Sequence, residues 1–176
     1  MNFLQRNFKG CSPKIKSILF TTYVRPTLEY CSSVWDPNKK IDITRIEQVQ
    51  RRAARFTFNI YSRYHRVTPL LVDLNWPSLE NRRKLAKIYL IYKAIHNLID
   101  VPIKELLTTQ NCTRSDGKFF IPYARTTILR DSFYYRTIRL WNNIPVEIRE
   151  ATSLDAFKDR IDHWVSESPR ALQGTV

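Results

Sequence analysis

A mainly α-helical fold is what this sequence predicts, and three observations carry the prediction. Apolar residues recur at three- and four-residue steps over long stretches, the signature of helices with one buried face. Capping serines and prolines at first helical positions punctuate those stretches. Only three glycines occur in 176 residues, which leaves little material for tight β-hairpins, glycine-rich phosphate loops or flexible linkers. A short extended or β segment is expected near residues 118–141, where the character of the chain changes.

Taken in order, "GCSPKIKSILFTTYV" offers Ser12 as N-cap and Pro13 as first helical residue, with Ile15, Ile18, Leu19 and Tyr23 as its apolar positions. In "RPTLEYCSSVWDP", Pro26 should kink or restart the helix and Asp36-Pro37 should end it. A helix over roughly 41–59 follows. Ile43, Ile46, Val49, Ala53 and Phe56 make one apolar stripe, Arg45, Gln48, Arg52 and Arg55 fall on another face, and Glu47 stands four residues before Arg51 as an expected ion pair. Thr68-Pro69 opens a short helix, Asn75-Trp76-Pro77 turns, and Ser78 caps a long helix with Leu85, Ile88, Tyr92, Ile95 and Ile99 as its stripe. Residues 101–117 read as a helical turn and then a polar loop, the expected main mobile connection. From Lys118 to Trp141 the chain is β-branched and aromatic, with Arg125, Arg130, Arg136 and Arg139 interleaved. Ser153 caps a last helix with Leu154, Phe157, Ile161 and Trp164 on its core side.

Composition limits the function classes. Hydrophobic residues make up 43% and charged residues 26%, as in a folded domain. The net charge of +13 attracts polyanions, so nucleic acid, whether RNA, DNA or a hybrid, heads the expected partners. The basic excess runs from the first residue to about residue 143, and the remainder is net acidic. No helix joins a wide apolar face to a lysine-rich one, and no segment has the length and apolarity of a membrane span, so a membrane partner is not expected. Cys11, Cys31 and Cys112 are scattered, which suggests free, buried thiols and a reducing intracellular compartment, nucleus or cytoplasm.

Several chemistries lack their residues. His65, His96 and His163 stand apart from one another and from the cysteines, so no metal site is expected. Aspartates are spread singly, without the cluster that two-metal phosphoryl transfer needs. No nucleophile, base and orienting group come together in sequence, and neither a cofactor nor a small-molecule substrate is expected. Basic side chains that neutralise phosphates and rings that can stack on unpaired bases remain as the positive signal. The competing reading is plain: Phe119, Phe120, Phe133 and Trp141 fill a core, and the arginines between them are a solvated face.

Three stretches in order, "YVRPTLEYCSSVWDP" (23–37), "IEQVQRRAARF" (46–56) and "LNWPSLENRR" (74–83), resemble the region after the polymerase core in jockey-like non-LTR retrotransposon reverse transcriptases. "FLQRNFKGCSPKIKS" before them and "SFYYRTIRLWNNIPVEIREATSLDAFKDRI" after them are similar to the same proteins, so the resemblance covers about Phe3 to Ile161. It implies a thumb-like helical region over 1–60, a post-polymerase helical region over 61–166, and a disordered tail over 167–176. The family's complete proteins carry an endonuclease and an RNA-directed DNA polymerase upstream, and that polymerase is a further expected partner. No Tyr-x-Asp-Asp motif occurs in this chain, nor any adjacent Asp-Asp pair, so no catalysis is expected of it. A thumb meets a primer–template duplex through its phosphates, which position without reading sequence. Arg51, Arg52 and Arg55 are then the leading contact candidates. Arg82, Arg83 and Lys84 follow at the start of the long helix, and Arg45, Arg125, Arg136 and Arg139 complete the set. Two other readings stay open, a structural or protein-interaction fragment and an independent RNA-binding protein.

Overall fold

Ser12 and Pro13 start their helix where the sequence places it. The computed structural model describes residues 1–62, 64–101, 107 and 118–167. After α1 (Asn2–Asn7), α2 runs Pro13–Leu19, and the Ser12 hydroxyl accepts from the Ile15 amide. A π-helical turn, Phe20–Val24, continues it, and α3 (Arg25–Glu29) follows with Pro26 in its first turn. Proline cannot donate to the residue four back. The wider turn, in which the Arg25 amide reaches the Phe20 carbonyl, absorbs that defect without breaking the rod.

α4 (Ser32–Trp35) ends at Asp36-Pro37, and α5 (Lys40–Phe58) is the longest element of its unit. α6 (Val67–Asp73) and α7 (Leu79–Ile95) are joined through Trp76 and Pro77, with the Ser78 hydroxyl accepting from the Asn81 amide. Then come α8 (Thr127–Arg130), α9 (Phe133–Asn142), α10 (Val146–Arg149) and α11 (Leu154–Glu167), the last capped by Ser153 through the Ala156 amide. The fold is mainly α. No strand forms between residues 118 and 141: Phe119 makes a single β-bridge, and residues 120–124 have no regular structure. Residues 133–142 are helical instead, because Tyr135, Ile138 and Trp141 recur at helical spacing and all three are buried.

Asparagine stands where a glycine-rich chain would put glycine. Asn59, Asn75 and Asn97 have φ of 56°, 51° and 54°, and each follows the end of a long or short helix as a left-handed stop. Scarce glycine therefore does not prevent tight helix exits here. Cys31, at φ 50°, precedes α4 and is exposed, contrary to the expectation of buried thiols. Cys112 lies outside the described residues.

The chain forms two compact units, Met1–Arg83 and Lys84–Val176, so the division falls inside α7 and not near residue 60. The physical reason lies in three contacts of the first unit. Trp76 packs on Phe20 with ring centroids 4.6 Å apart, the buried Gln50 donates to the Pro77 carbonyl at 2.9 Å, and the Glu47 carboxylate accepts from the Glu80 amide at 2.8 Å. These tie the connection between α6 and α7, and the first turn of α7, to the π-helical turn and α5. The core of this unit is Phe20, Ala53, Ala54, Val67, Leu70 and Trp76.

In the second unit, Ile88, Ile91 and Tyr92 of α7 meet Ile138 and Trp141 of α9 and Phe157 and Ile161 of α11. Tyr92 stacks on Phe157 at 4.1 Å and donates its hydroxyl to the Ala151 carbonyl at 2.7 Å. The stripes expected for α7 and α11 are thus the core faces, although Ile99 lies beyond the end of α7. The stripe expected for α2 is reversed. Ile15, Ile18 and Tyr23 are exposed, and Lys16 and Phe20 are buried. Lys16 donates to Asn59 Oδ1 at 2.7 Å and lies over the Phe56 ring, so a hydrogen bond and a ring face compensate its ammonium. Most of the connection expected over 101–117, and the tail beyond Glu167, lie outside the described residues.

Candidate nucleic-acid interface

α5 presents two different faces along its 19 residues, roughly 28 Å of helix. Gln50, Ala53, Ala54, Phe56 and Thr57 are buried. Small Ala53 and Ala54 let Phe20 approach closely, which fixes how the helix is rolled. The opposite face carries Thr44, Arg45, Gln48, Arg51 and Arg52, all exposed, with Arg55 half-buried at its edge. Four arginines and no carboxylate share this face, since Asp42 and Glu47 lie on its flanks.

The partners of these side chains differ. Arg45 reaches Asp42 at 3.3 Å, an exposed pair that contributes little and yields readily to a competing anion. Arg51 and Arg52 make no ion pair among the described residues. The expected Glu47–Arg51 pair does not form, because Glu47 turns to the start of α7. There its half-buried carboxylate caps the Glu80 amide. Burial is the largest influence on its pKa and raises it above the ordinary value of 4.5, while the Glu80 amide and the Arg83 charge oppose the rise. Arg55 Nε is buried and makes no hydrogen bond among the described residues.

The remaining candidates have surroundings of their own in each unit. Arg82 holds Glu29 through both carboxylate oxygens. Arg83 is the clearest correction. Its side chain is 0% exposed, it pairs with Asp36 at 2.7 Å and its guanidinium lies over the Trp35 ring. A side chain with no surface cannot touch a phosphate, and its position on the inner side of α7 is the reason. Lys84 belongs to the second unit, half-buried and engaged with a partner. Arg136 and Arg139 are half-buried on α9, Arg136 with a partner, and Arg125 is exposed with no ion pair among the described residues.

Sequence reasoning missed the inward cations. Besides Lys16, Arg25 lies over both Phe20 and Trp76, at 5.6 and 5.4 Å. Burial pushes its guanidinium below the usual value, Arg82 adds to that, and Glu29 opposes it. No spacing rule marks Arg25, although the two prolines near the flanking rings hint at tight packing. The rings sort themselves as well. Phe119 and Trp141 are buried and Phe133 is half-buried, whereas Phe120 and Tyr123 are exposed. Both edges of the Asn142 side-chain amide pair with the Phe119 backbone, at 3.0 and 2.9 Å, as a neighbouring strand would. Phe119 is thereby turned inward and Phe120 is left outside.

Among the described residues, no three His, Cys, Asp or Glu side chains come together as a metal site, and no helix is long and apolar enough to cross a membrane. No protein-family model, curated protein or solved structure matches the chain.

Proposed function

We propose that this chain binds the backbone of a nucleic acid, without catalysis, as the thumb and post-polymerase part of a non-LTR retrotransposon reverse transcriptase. The observation that carries the binding is the exposed face of α5, with Arg45, Arg51, Arg52 and Arg55 on it and no acid among them. A rigid helix with one buried face holds these charges in a row, so little ordering entropy opposes contact with a strand. Arginine suits the task because its planar fork matches phosphate oxygens in pairs. Contacts to phosphates position a duplex independently of its sequence. The assignment to that polymerase family rests on the ordered motifs from residue 3 to residue 161.

A labelled RNA–DNA hybrid tests the binding. Replacing Arg51, Arg52 and Arg55 together by glutamine should weaken it on the order of tenfold or more at moderate salt. Equal affinities for wild type and variant would make these arginines a solvated face.

A second reading, a fragment whose role is to hold another protein, has its own observation. Phe3, Ile15, Ile18, Tyr23, Tyr30 and Val34 of the first unit are all exposed, apolar side chains for a second protein to cover. Concentration-dependent association, with no affinity for any nucleic acid, would favour that reading.

A further inference from the structure

We propose that the second unit carries a separate stacking surface for unpaired nucleotides, built from Phe120 and Tyr123 with Arg125 beside them. Phe120 is 49% exposed and Tyr123 is 90% exposed. Rings left in water have given up burial that stabilises a fold, and a π-face that a base can cover recovers part of it.

The segment is anchored at its start and leads into a capped helix at its end. Asn142 pairs with the Phe119 backbone on one side, and on the other the Thr126 hydroxyl accepts from the Leu129 amide to cap α8. Rings on a pinned backbone pay less entropy on binding than rings on a loose loop. Phe120 and Tyr123 are three residues apart, so at most about 10 Å of chain separates them, within the reach of neighbouring nucleotides of one strand.

Charge selects the partner. No acidic residue occurs from Lys118 to Arg130. Arg125 is exposed, and the exposed Arg130 keeps only a loose 3.8 Å contact with Asp131. Exposed rings followed by the exposed Arg125, with no acid among them, fit a strand with bare bases and a phosphate backbone. They fit a closed duplex poorly, since its bases already stack on one another. The surface does not depend on α5 and stands or falls apart from it.

The test is fluorescence anisotropy of the full chain with labelled oligothymidylate and, separately, a blunt mixed-sequence duplex. Replacing Phe120 and Tyr123 together by alanine should raise the oligothymidylate Kd on the order of tenfold or more and the duplex Kd by less than about twofold. Phe120→Trp and Tyr123→Phe should keep the single-strand affinity. R51Q/R52Q/R55Q should leave oligothymidylate the ring-dependent ligand, so failure of one surface is told from failure of the other. Tyr123→Ala alone secures the test against misfolding, because that side chain makes almost no contacts. Overturning results are an unchanged oligothymidylate Kd, equal losses on both ligands, or loss of self-association in place of nucleic-acid binding, which would make the rings a protein contact.

Discussion

Arg83 shows how far one side chain can lie from its expected role. In sequence it belongs to a basic triplet at the start of a helix; in the fold its guanidinium is fully buried against Asp36. Removing one member of such a pair strands a charge, whereas replacing both by apolar groups restores a neutral interior. Asp36→Ala should therefore lower stability by about 3–5 kcal/mol, and Asp36→Ala with Arg83→Met should lose clearly less. Urea unfolding of the two variants measures this, and simple addition of two large losses would contradict it.

Glu47 makes a pH prediction. Its folded-state pKa is raised, chiefly by burial, so the folded chain holds this proton more tightly than the unfolded chain. The stability it contributes is complete below the ordinary value of 4.5 and is lost as pH rises through the folded value. Glu47→Gln keeps an acceptor for the Glu80 amide and has no proton to lose. Relative to wild type, the variant should gain stability from acidic to neutral pH, as thermal melts at both would show. A gain that shrinks toward neutral pH would mean that the Arg83 charge outweighs burial.

At the scale of elements, periodicity and caps located most helices, and the errors have physical causes. α5, α7 and α11 were legible because each repeats large apolar residues on one side. α2 was not, because both of its sides carry apolar residues and periodicity cannot say which one meets Trp76. A lysine on the buried side made that side the less obvious choice, and only distant Asn59, 43 residues away, and the Phe56 ring explain it. Phe20→Ala should cost about 3–5 kcal/mol through the cavity it leaves, while Ile18→Gln should change stability by no more than about 0.5 kcal/mol. Equal losses in denaturant melts would mean that both faces of α2 are covered. The segment after Lys118 misled in a different way, since aromatic and β-branched residues suit strands and buried helices alike. The candidate face on α5 was legible as an arrangement of arginines; that Glu47 leaves Arg51 for α7 depends on tertiary contact and has no local signal.

For the molecule as a whole, a net charge of +13 says that polyanions are attracted and does not say where they land. The fold narrows this by turning Lys16, Arg25 and Arg83 inward and leaving Arg45, Arg51 and Arg52 of α5 in water. The direct measurement is the salt dependence of binding to an RNA–DNA hybrid, for wild type and for R51Q/R52Q/R55Q. Each phosphate contact adds nearly one unit to the slope of log affinity against log salt. If α5 lies along the backbone, wild type binds with a steep negative slope and the variant's slope is shallower by about two to three. Identical slopes would place the contacts elsewhere and contradict the assignment of α5 as the gripping face.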